Sequence, residues 1–423
     1  MSAQAAGSPA GNQVHPGPGE KPPARHGADL KASRQMAARL RMMIKGDPEP
    51  NAQEWAALGQ GLWRGDPLAD DLATWMLDQG MGPAMATVEL ALSQGLQAVP
   101  DAPAPLRDFI RSVSTTPPWL DERKLACGAR FHQSTGFHGM MLLRDAGLMA
   151  GYQASAINQT LVMTGALHTG AHRRVAETGT WWLACTEDGG MARGAEGFKL
   201  TLRVRLMHAV VRVRLRRHPQ WDMGYLGLPI NQVDMQATYL AFSVVQLLAL
   251  RMTGVLISGK QSEGVMHLWR YIGWLMGVED ELMCEDEQWG RVLFYRNLIS
   301  QAPADETSMV LGRALMDEPL HRQYRWAPGL QGRFNRARHL SLVRWFVGPQ
   351  GMRNLGLPPT LPWYPLMLFG PMALHSAALR VMPWLRATWR YFARRQQTCY
   401  RRGLAAADVP QPSLAAAGKQ ARL

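Results

Sequence analysis

The sequence predicts an all-α fold, read as one large helical domain. Three observations carry this. Apolar residues recur at helical spacing through most of the chain, as in Trp55, Leu58, Leu62 and Trp63. No sustained apolar–polar alternation bounded by hairpin turns occurs. Helix-start signals precede the apolar stretches: Asp121 reads as an N-cap, and Ser258-Gly259-Lys260-Gln261 as a capping box.

Taken in order, residues 1–33 are rich in Pro, Gly, Ala and Ser and read as a disordered tail. Order is expected from near Asp47. The resulting division is a tail over 1–45, a helical domain over 46–396 and a second tail over 397–423. Helices are expected at 51–63, 68–79 and 83–98. Prolines then break the stretch from Asp101 to Pro118 into a connector with a short helix. A long helical region follows from Asp121 to about Ala146, then helices at 154–166 and 170–185. Glu187 to Gly197 is a turn leading to the helix around residue 208, and Pro219 closes the basic segment after it. Leu228 to Asp234 is a connector into an apolar helix over 235–252. Further helices fit the region after Ser258, then 285–300, 306–322 and 333–346. The proline-rich stretch from Leu357 to Pro371 reads as largely non-helical, before a last helix over 372–396.

The chain has 423 residues, 47% hydrophobic and 19% charged, enough to bury a large core. Its 25 Met and 15 Trp suit packing around a large apolar ligand, or ordinary filling of an irregular core. The net charge of +13 favours an anionic surface as partner. The arginines are dispersed through apolar segments and no helix-turn-helix, zinc-finger or RNA-binding signature occurs, so no nucleic-acid partner is expected. The cysteines, Cys127, Cys185, Cys284 and Cys399, form no CxxC pair. With no CxxCH, covalent c-type haem is excluded and a bound haem would be b-type. No signal-peptide pattern occurs, so the expected location is the cytoplasm, with membrane association as an addition.

Chemistry concentrates in Arg203-Val204-Arg205-Leu206-Met207-His208-Ala209-Val210-Val211-Arg212-Val213. Between Val204 and Val213 only Arg205, His208 and Arg212 are polar, at spacings of three and four. Such a helix is buried, and its guanidiniums need anionic partners. A haem meets the demand, with iron for the imidazole and propionates for the arginines. A structural Arg–carboxylate network with a hydrogen-bonded histidine meets it equally well, and this stretch does not separate the two.

A second candidate is His172-Arg173-Arg174-Val175-Ala176-Glu177-Thr178. Arg174 and Thr178 share a helix face and could line the open side of a haem pocket, with Glu177 the nearest carboxylate. An exposed Arg–Glu helix surface explains the same spacing. His132 and His138 lie six apart, on different sides of a helix, and do not suit a shared metal. The acidic clusters at 279–281 and 285–287 read as solvated. No P-loop, GxGxxG, HExxH or GxSxG signature occurs.

Residues 361–379 carry no formal charge, but Pro362, Pro365 and Pro371 interrupt them, so a clean spanning helix is not expected. Arg380 to Arg402 mixes Trp384, Trp389, Tyr391 and Phe392 with arginines. That composition suits peripheral contact with an anionic membrane, or a terminal helix packed on the core with a solvated basic face.

Five blocks in order resemble the latex clearing protein / MpaB oxygenase family, whose shared region is the rubber oxygenase catalytic domain. They are Arg173–Thr178, Arg205–Arg212, Leu228-Pro229-Ile230-Asn231-Gln232, the run Leu268 to Val278, and Met382-Pro383-Trp384-Leu385-Arg386. The resemblance runs from about residue 120 to 390. It implies a globin-like helical core holding non-covalent haem b, with His208 as iron ligand and Arg205 and Arg212 beside it. It implies Arg174 and Thr178 in the distal pocket, with Glu177 as a proton acceptor. The implied reaction uses dioxygen to oxidise or split a C=C bond of a small apolar or isoprenoid substrate. A haem-binding sensor or carrier without turnover is the alternative. Two positions depart from the latex clearing proteins: Glu177 stands where they have lysine, and their upstream glutamate falls near Asn158. His168, His172 and Glu177 are candidates for a second axial ligand.

Overall fold

The computed structural model describes residues 21–165, 171–324 and 326–404. These residues form helices and connectors, with no strand among them. The N-terminal part contributes α1 (Leu30–Arg41), α2 (Ala52–Gly61), α3 (Pro67–Gln79), α4 (Met81–Gln94) and α5 (Ala104–Ser114). The middle contributes α6 (Glu122–Ser134), α7 (Gly136–Leu142), α8 (Ser155–Met163), α9 (Ala171–Cys185), α10 (Glu196–Leu215) and α11 (Met223–Leu226). Next come α12 (Gln232–Leu240), α13 (Gln246–Met252), α14 (Gly259–Leu275), α15 (Glu287–Ser300) and α16 (Glu306–Asp317). The C-terminal part is α17 (Pro328–Asn354), α18 (Trp363–Val381) and α19 (Leu385–Leu404).

Helix α10 runs through the main core, with Leu202, Leu206, Ala209 and Val210 fully buried. It packs against α3 on one side and α9 on another. The pair α6 and α14 approaches closely because glycines face each other. A Cβ on Gly128 would lie 2.3 Å from the Gly264 carbonyl oxygen, closer than any side chain allows. The expected capping box at Ser258 and Gln261 forms, as does the Asp121 cap.

Two segments are π-helical, Leu143–Met149 after α7 and Ala241–Val245 between α12 and α13. They pack against each other. Each widens its helix by one residue per turn, a feature common where helices line functional sites.

Three sequence expectations change. The N-terminal tail does not extend to residue 45. Helix α1 buries Ser33, Ala37 and Leu40, and Arg25 is 1% exposed with Nη2 2.8 Å from Asp234 Oδ1. Likewise the C-terminal boundary at 396 moves outward, since α19 runs to Leu404 and buries Gln397. The stretch from Leu357 to Pro371 is half helical. Pro365 sits in the first turn of α18, where its missing N–H costs nothing, and the helix continues through Pro371. Residues 1–20 and 405–423 lie outside the described residues.

One helix among the described residues is long and apolar enough to cross a membrane, Gln232–Met252, and 72% of its apolar window is buried in the core. It is a core helix by that measure.

Candidate active site

A cavity of about 1730 Å³ lies between α1, α8, α9, α10, the two π-turns, α15 and α17. Its walls are mainly apolar, including Met140, Leu161, Met207, Trp181, Phe242 and Phe346. The sequence pattern explains this placement. Apolar positions of α9 and α10, among them Val175, Trp181, Val204, Met207 and Val211, face the cavity.

His208 projects from α10 into this wall. Its Nδ1 is buried and has no hydrogen-bond partner. Burial, with Arg212 adding to it, pushes the imidazole down to about 4, so the ring is neutral at neutral pH. A neutral ring has one lone-pair nitrogen free to bind a metal.

Arg205 and Arg212 do not line the cavity. Arg205 Nε and Nη2 reach Asp66 at 2.6 and 2.8 Å, and Nη1 reaches the Leu275 carbonyl at 3.3 Å. Arg212 Nε lies 2.8 and 3.0 Å from the two Asp70 oxygens, and Nη1 donates to the Ile230 carbonyl at 2.6 Å. Asp66 is the N-cap of α3 and Asp70 lies in its first turn. Where the sequence expected haem propionates beside these arginines, the structure gives them carboxylate and carbonyl partners away from the cavity. Of the two readings open at the sequence level, the carboxylate network describes the arginines. It does not describe His208, whose ring lacks the expected hydrogen bond.

Across α9, Arg174, Glu177 and Thr178 all line the same cavity. Arg174 Nη2 donates to the Tyr152 hydroxyl, and its guanidinium lies 5.5 Å from the Tyr152 ring centroid. Arg174 Nε and Nη1 are buried without partners. Glu177 accepts from Arg173 Nε at 2.8 Å, with both side chains about a quarter exposed. The expected Arg–Glu surface pair is thus present, but it sits on the cavity rim and leaves Arg174 facing inward. Asn158 also lines the cavity. Its Nδ2 donates to the Tyr152 carbonyl at 2.8 Å and to Ser308 Oγ at 3.3 Å, while Oδ1 is buried and unpartnered. His168 lies outside the described residues, and the side chain of His172 is likewise not described.

A buried ionic cluster escaped sequence analysis. Arg144, on the first π-turn and on the cavity wall, donates to Asp145 Oδ1 at 2.6 Å and to Glu318 Oε2 at 3.1 Å. Arg322 holds both Glu318 oxygens at 2.6 Å. His339 Nδ1 meets Asp145 Oδ2 at 2.6 Å. Burial pushes the Asp145 carboxyl up to about 7, with Arg144 pulling the other way. Burial and the neighbouring arginines hold His339 well below its ordinary value. The only sequence signal was a charged pair, Arg144-Asp145, inside the otherwise apolar run from Met140 to Met149.

The remaining polar candidates have structural partners. His132 Nε2 accepts from Trp269 Nε1 at 2.9 Å, and His267 Nε2 accepts from the Asp121 amide at 2.9 Å. The acidic clusters are ion-paired: Glu279 and Glu281 with Arg64, Glu285 with Arg270, Glu287 with Arg251 and Arg291. No group of three or more metal-ligating His, Cys, Asp or Glu side chains occurs among the described residues.

Residues 134–394 match the family model described as ER-bound oxygenase mpaB/B'/Rubber oxygenase, catalytic domain. The rubber oxygenase of Streptomyces sp. (strain K30) is 25% identical over 221 residues, which is 51% of this chain and 54% of that protein. The chain thus spans about half the length of the curated relative it matches. Among solved structures, latex clearing protein in its closed state superposes with a TM-score of 0.62 at 20% identity, covering 80% of this chain and 91% of that one.

Proposed function

Because the chain belongs to the mpaB/B'/rubber oxygenase catalytic-domain family, its match taking in more than half of its length, we propose that it is a b-type haem-dependent oxygenase. Its substrate in this reading is an apolar, isoprenoid-like molecule oxidised or cleaved at a C=C bond. The observation that carries the proposal is His208. It is a neutral, half-buried imidazole on the wall of a large apolar cavity, its Nδ1 buried and unpartnered. A histidine kept neutral and without a protein partner is the donor that a haem iron requires, so the residues present fit the group.

His208 would hold the haem, which when bound supplies the binding and activation of dioxygen. Arg205 and Arg212 act one step back. Their pairing with Asp66 and Asp70 fixes α10 against α3, and so fixes the position of the imidazole. Arg174 presents two buried donors, Nε and Nη1, to the cavity. Such donors stabilise a partly negative oxygen in a dry pocket. Tyr152 accepts from Nη2 and keeps the guanidinium aimed. Thr178, one turn along α9, adds a hydroxyl to the same wall. Glu177, paired with Arg173, is the proton acceptor in this reading. The apolar walls exclude water and receive the hydrocarbon part of the substrate.

An absorption spectrum of the protein expressed with haem supply tests the cofactor. A Soret band is expected, and it should be lost or shifted in His208→Ala. No band in the wild type, or an unchanged band in the variant, would overturn the assignment. Oxygen uptake with prenylated quinones, terpenoids and short polyisoprenes tests turnover. A haem-loaded protein with no uptake on any of them would be the sensor or carrier.

A further inference from the structure

The C-terminal hairpin leaves an apolar face uncovered. Helix α18 has 19 residues, of which only Pro365 is buried. Leu361, Leu366, Leu374 and Val381 are 77, 61, 74 and 74% exposed, and Trp384 at the corner before α19 is 69% exposed. Soluble surfaces rarely keep so many large apolar side chains contiguous. The hairpin is nonetheless well held. Arg386 Nε donates to the Leu379 carbonyl at 2.7 Å and Nη2 to that of Arg380 at 3.2 Å, closing the corner. Trp389 Nε1 donates to the Ser134 carbonyl at 2.8 Å, and Gln397 Nε2 to that of His132, also at 2.8 Å. An ordered apolar face is therefore presented.

Charge says what covers it. From Pro319 to Ala407 the sequence contains no Asp or Glu, while Arg380, Arg390, Arg395, Arg401 and Arg402 fall on or beside the hairpin, Arg394 being paired with Glu187. A second copy of this chain would bring these arginines against their like. A bilayer with anionic headgroups meets both demands, taking the apolar side chains into its interfacial region and the guanidiniums at headgroup level. Arg380 interrupts α18 near its end, and Pro371 lies within it, so the helix suits the plane of the interface better than a span.

We propose that the α18–α19 hairpin is a membrane-docking surface for anionic lipid, with Leu366, Leu374 and Trp384 inserting and the surrounding arginines binding headgroups. The hairpin is rooted beside the cavity. The Phe369 backbone packs on Gly254, two residues after Met252, which lines the cavity. The docking surface does not depend on haem or on turnover, so it stands apart from the oxygenase reading.

The test is co-sedimentation of the full chain with vesicles of phosphatidylcholine alone and with phosphatidylserine added. Binding is expected to be at least tenfold tighter with phosphatidylserine and to weaken in high salt. The triple variant Leu366→Ser, Leu374→Ser, Trp384→Ser should lose at least tenfold in binding while keeping the wild-type circular dichroism spectrum. The single variant Trp384→Ser should give an intermediate loss should the triple variant fail to fold. No binding to either vesicle, or wild-type binding by the single and triple variants, would overturn the proposal. So would a dimer in sedimentation velocity that the substitutions dissociate, because a second copy would then cover the face.

Discussion

Replacing Asp66 by asparagine keeps the side-chain shape and removes the charge that holds Arg205. The two side chains are 8% and 7% exposed and meet through two hydrogen bonds of 2.6 and 2.8 Å. Removing one member of a buried pair leaves the other desolvated and uncompensated, a loss of about 3–5 kcal/mol. Arg205 retains the Leu275 carbonyl at 3.3 Å and the Phe109 ring at 5.1 Å, which favours the lower end of that range. With an unfolding entropy of about 2 cal/mol/K per residue, the melting temperature of a chain this size should fall by roughly 3.5–4.5 °C. Thermal melts followed by circular dichroism measure this directly. The double variant Asp66→Leu, Arg205→Met removes both charges and should recover most of the loss, because apolar replacement of a buried pair is often close to neutral. A shift below about 1 °C in Asp66→Asn would refute the reasoning. So would a double variant as unstable as the sum of its single changes.

Other outcomes follow from the same geometry. Tyr152→Phe removes the acceptor of Arg174 Nη2 and should lower oxygen uptake about tenfold or more while leaving the haem spectrum unchanged. An unchanged rate would assign Tyr152 to packing alone. Gly128→Ala places a Cβ 2.3 Å from the Gly264 carbonyl and should destabilise the α6–α14 pair by about 1–3 kcal/mol, read as a lower melting temperature. Acidification should also destabilise the fold. Burial holds His26, His138 and His208 at about 4 and His132 at about 3, below their unfolded value of 6.5. Between pH 6.5 and 4 the unfolded chain binds more protons at these four sites, so their contribution is lost as pH falls through that window. Asp145 opposes this, since its folded value near 7 exceeds the unfolded one and favours the folded state between pH 7 and 4. Four groups outweigh one, and the melting temperature at pH 5 should lie below that at pH 7. An equal or higher value would contradict the assignment of neutral buried histidines.

Helical periodicity made most of the fold legible. The expected helix at 235–252 spans α12, a π-turn and α13, and the one expected at 285–300 is α15 within two residues. Periodicity misled where proline was given too much weight, since α18 tolerates Pro365 in its first turn and Pro371 further in. It was silent on α1, whose sequence is short of large apolar residues but pairs with α15. At the site, the spacing of Arg205, His208 and Arg212 identified a helix that lines the cavity but aimed all three side chains at one ligand. An α-helix turns 100° per residue, so residues 205 and 212 nearly coincide while 208 stands about 60° aside. That offset sends the arginines to α3 and the imidazole to the cavity. Asp145 and His339 lie 194 residues apart, and no local pattern could have joined them.

The acids that neutralise α10 have a consequence for where this protein can be cut. The family match begins at residue 134, yet Arg203, Arg205 and Arg212 take their carboxylates from Glu89, Asp66 and Asp70, all upstream of it. Conversely, Asp234 takes its cation, Arg25, from the same upstream part. A fragment limited to 134–394 would carry cations into its interior with their counter-ions deleted. The first hundred or so described residues therefore behave as an internal counter-ion belt, and the matched region is the larger part of a folding unit whose remainder must travel with it.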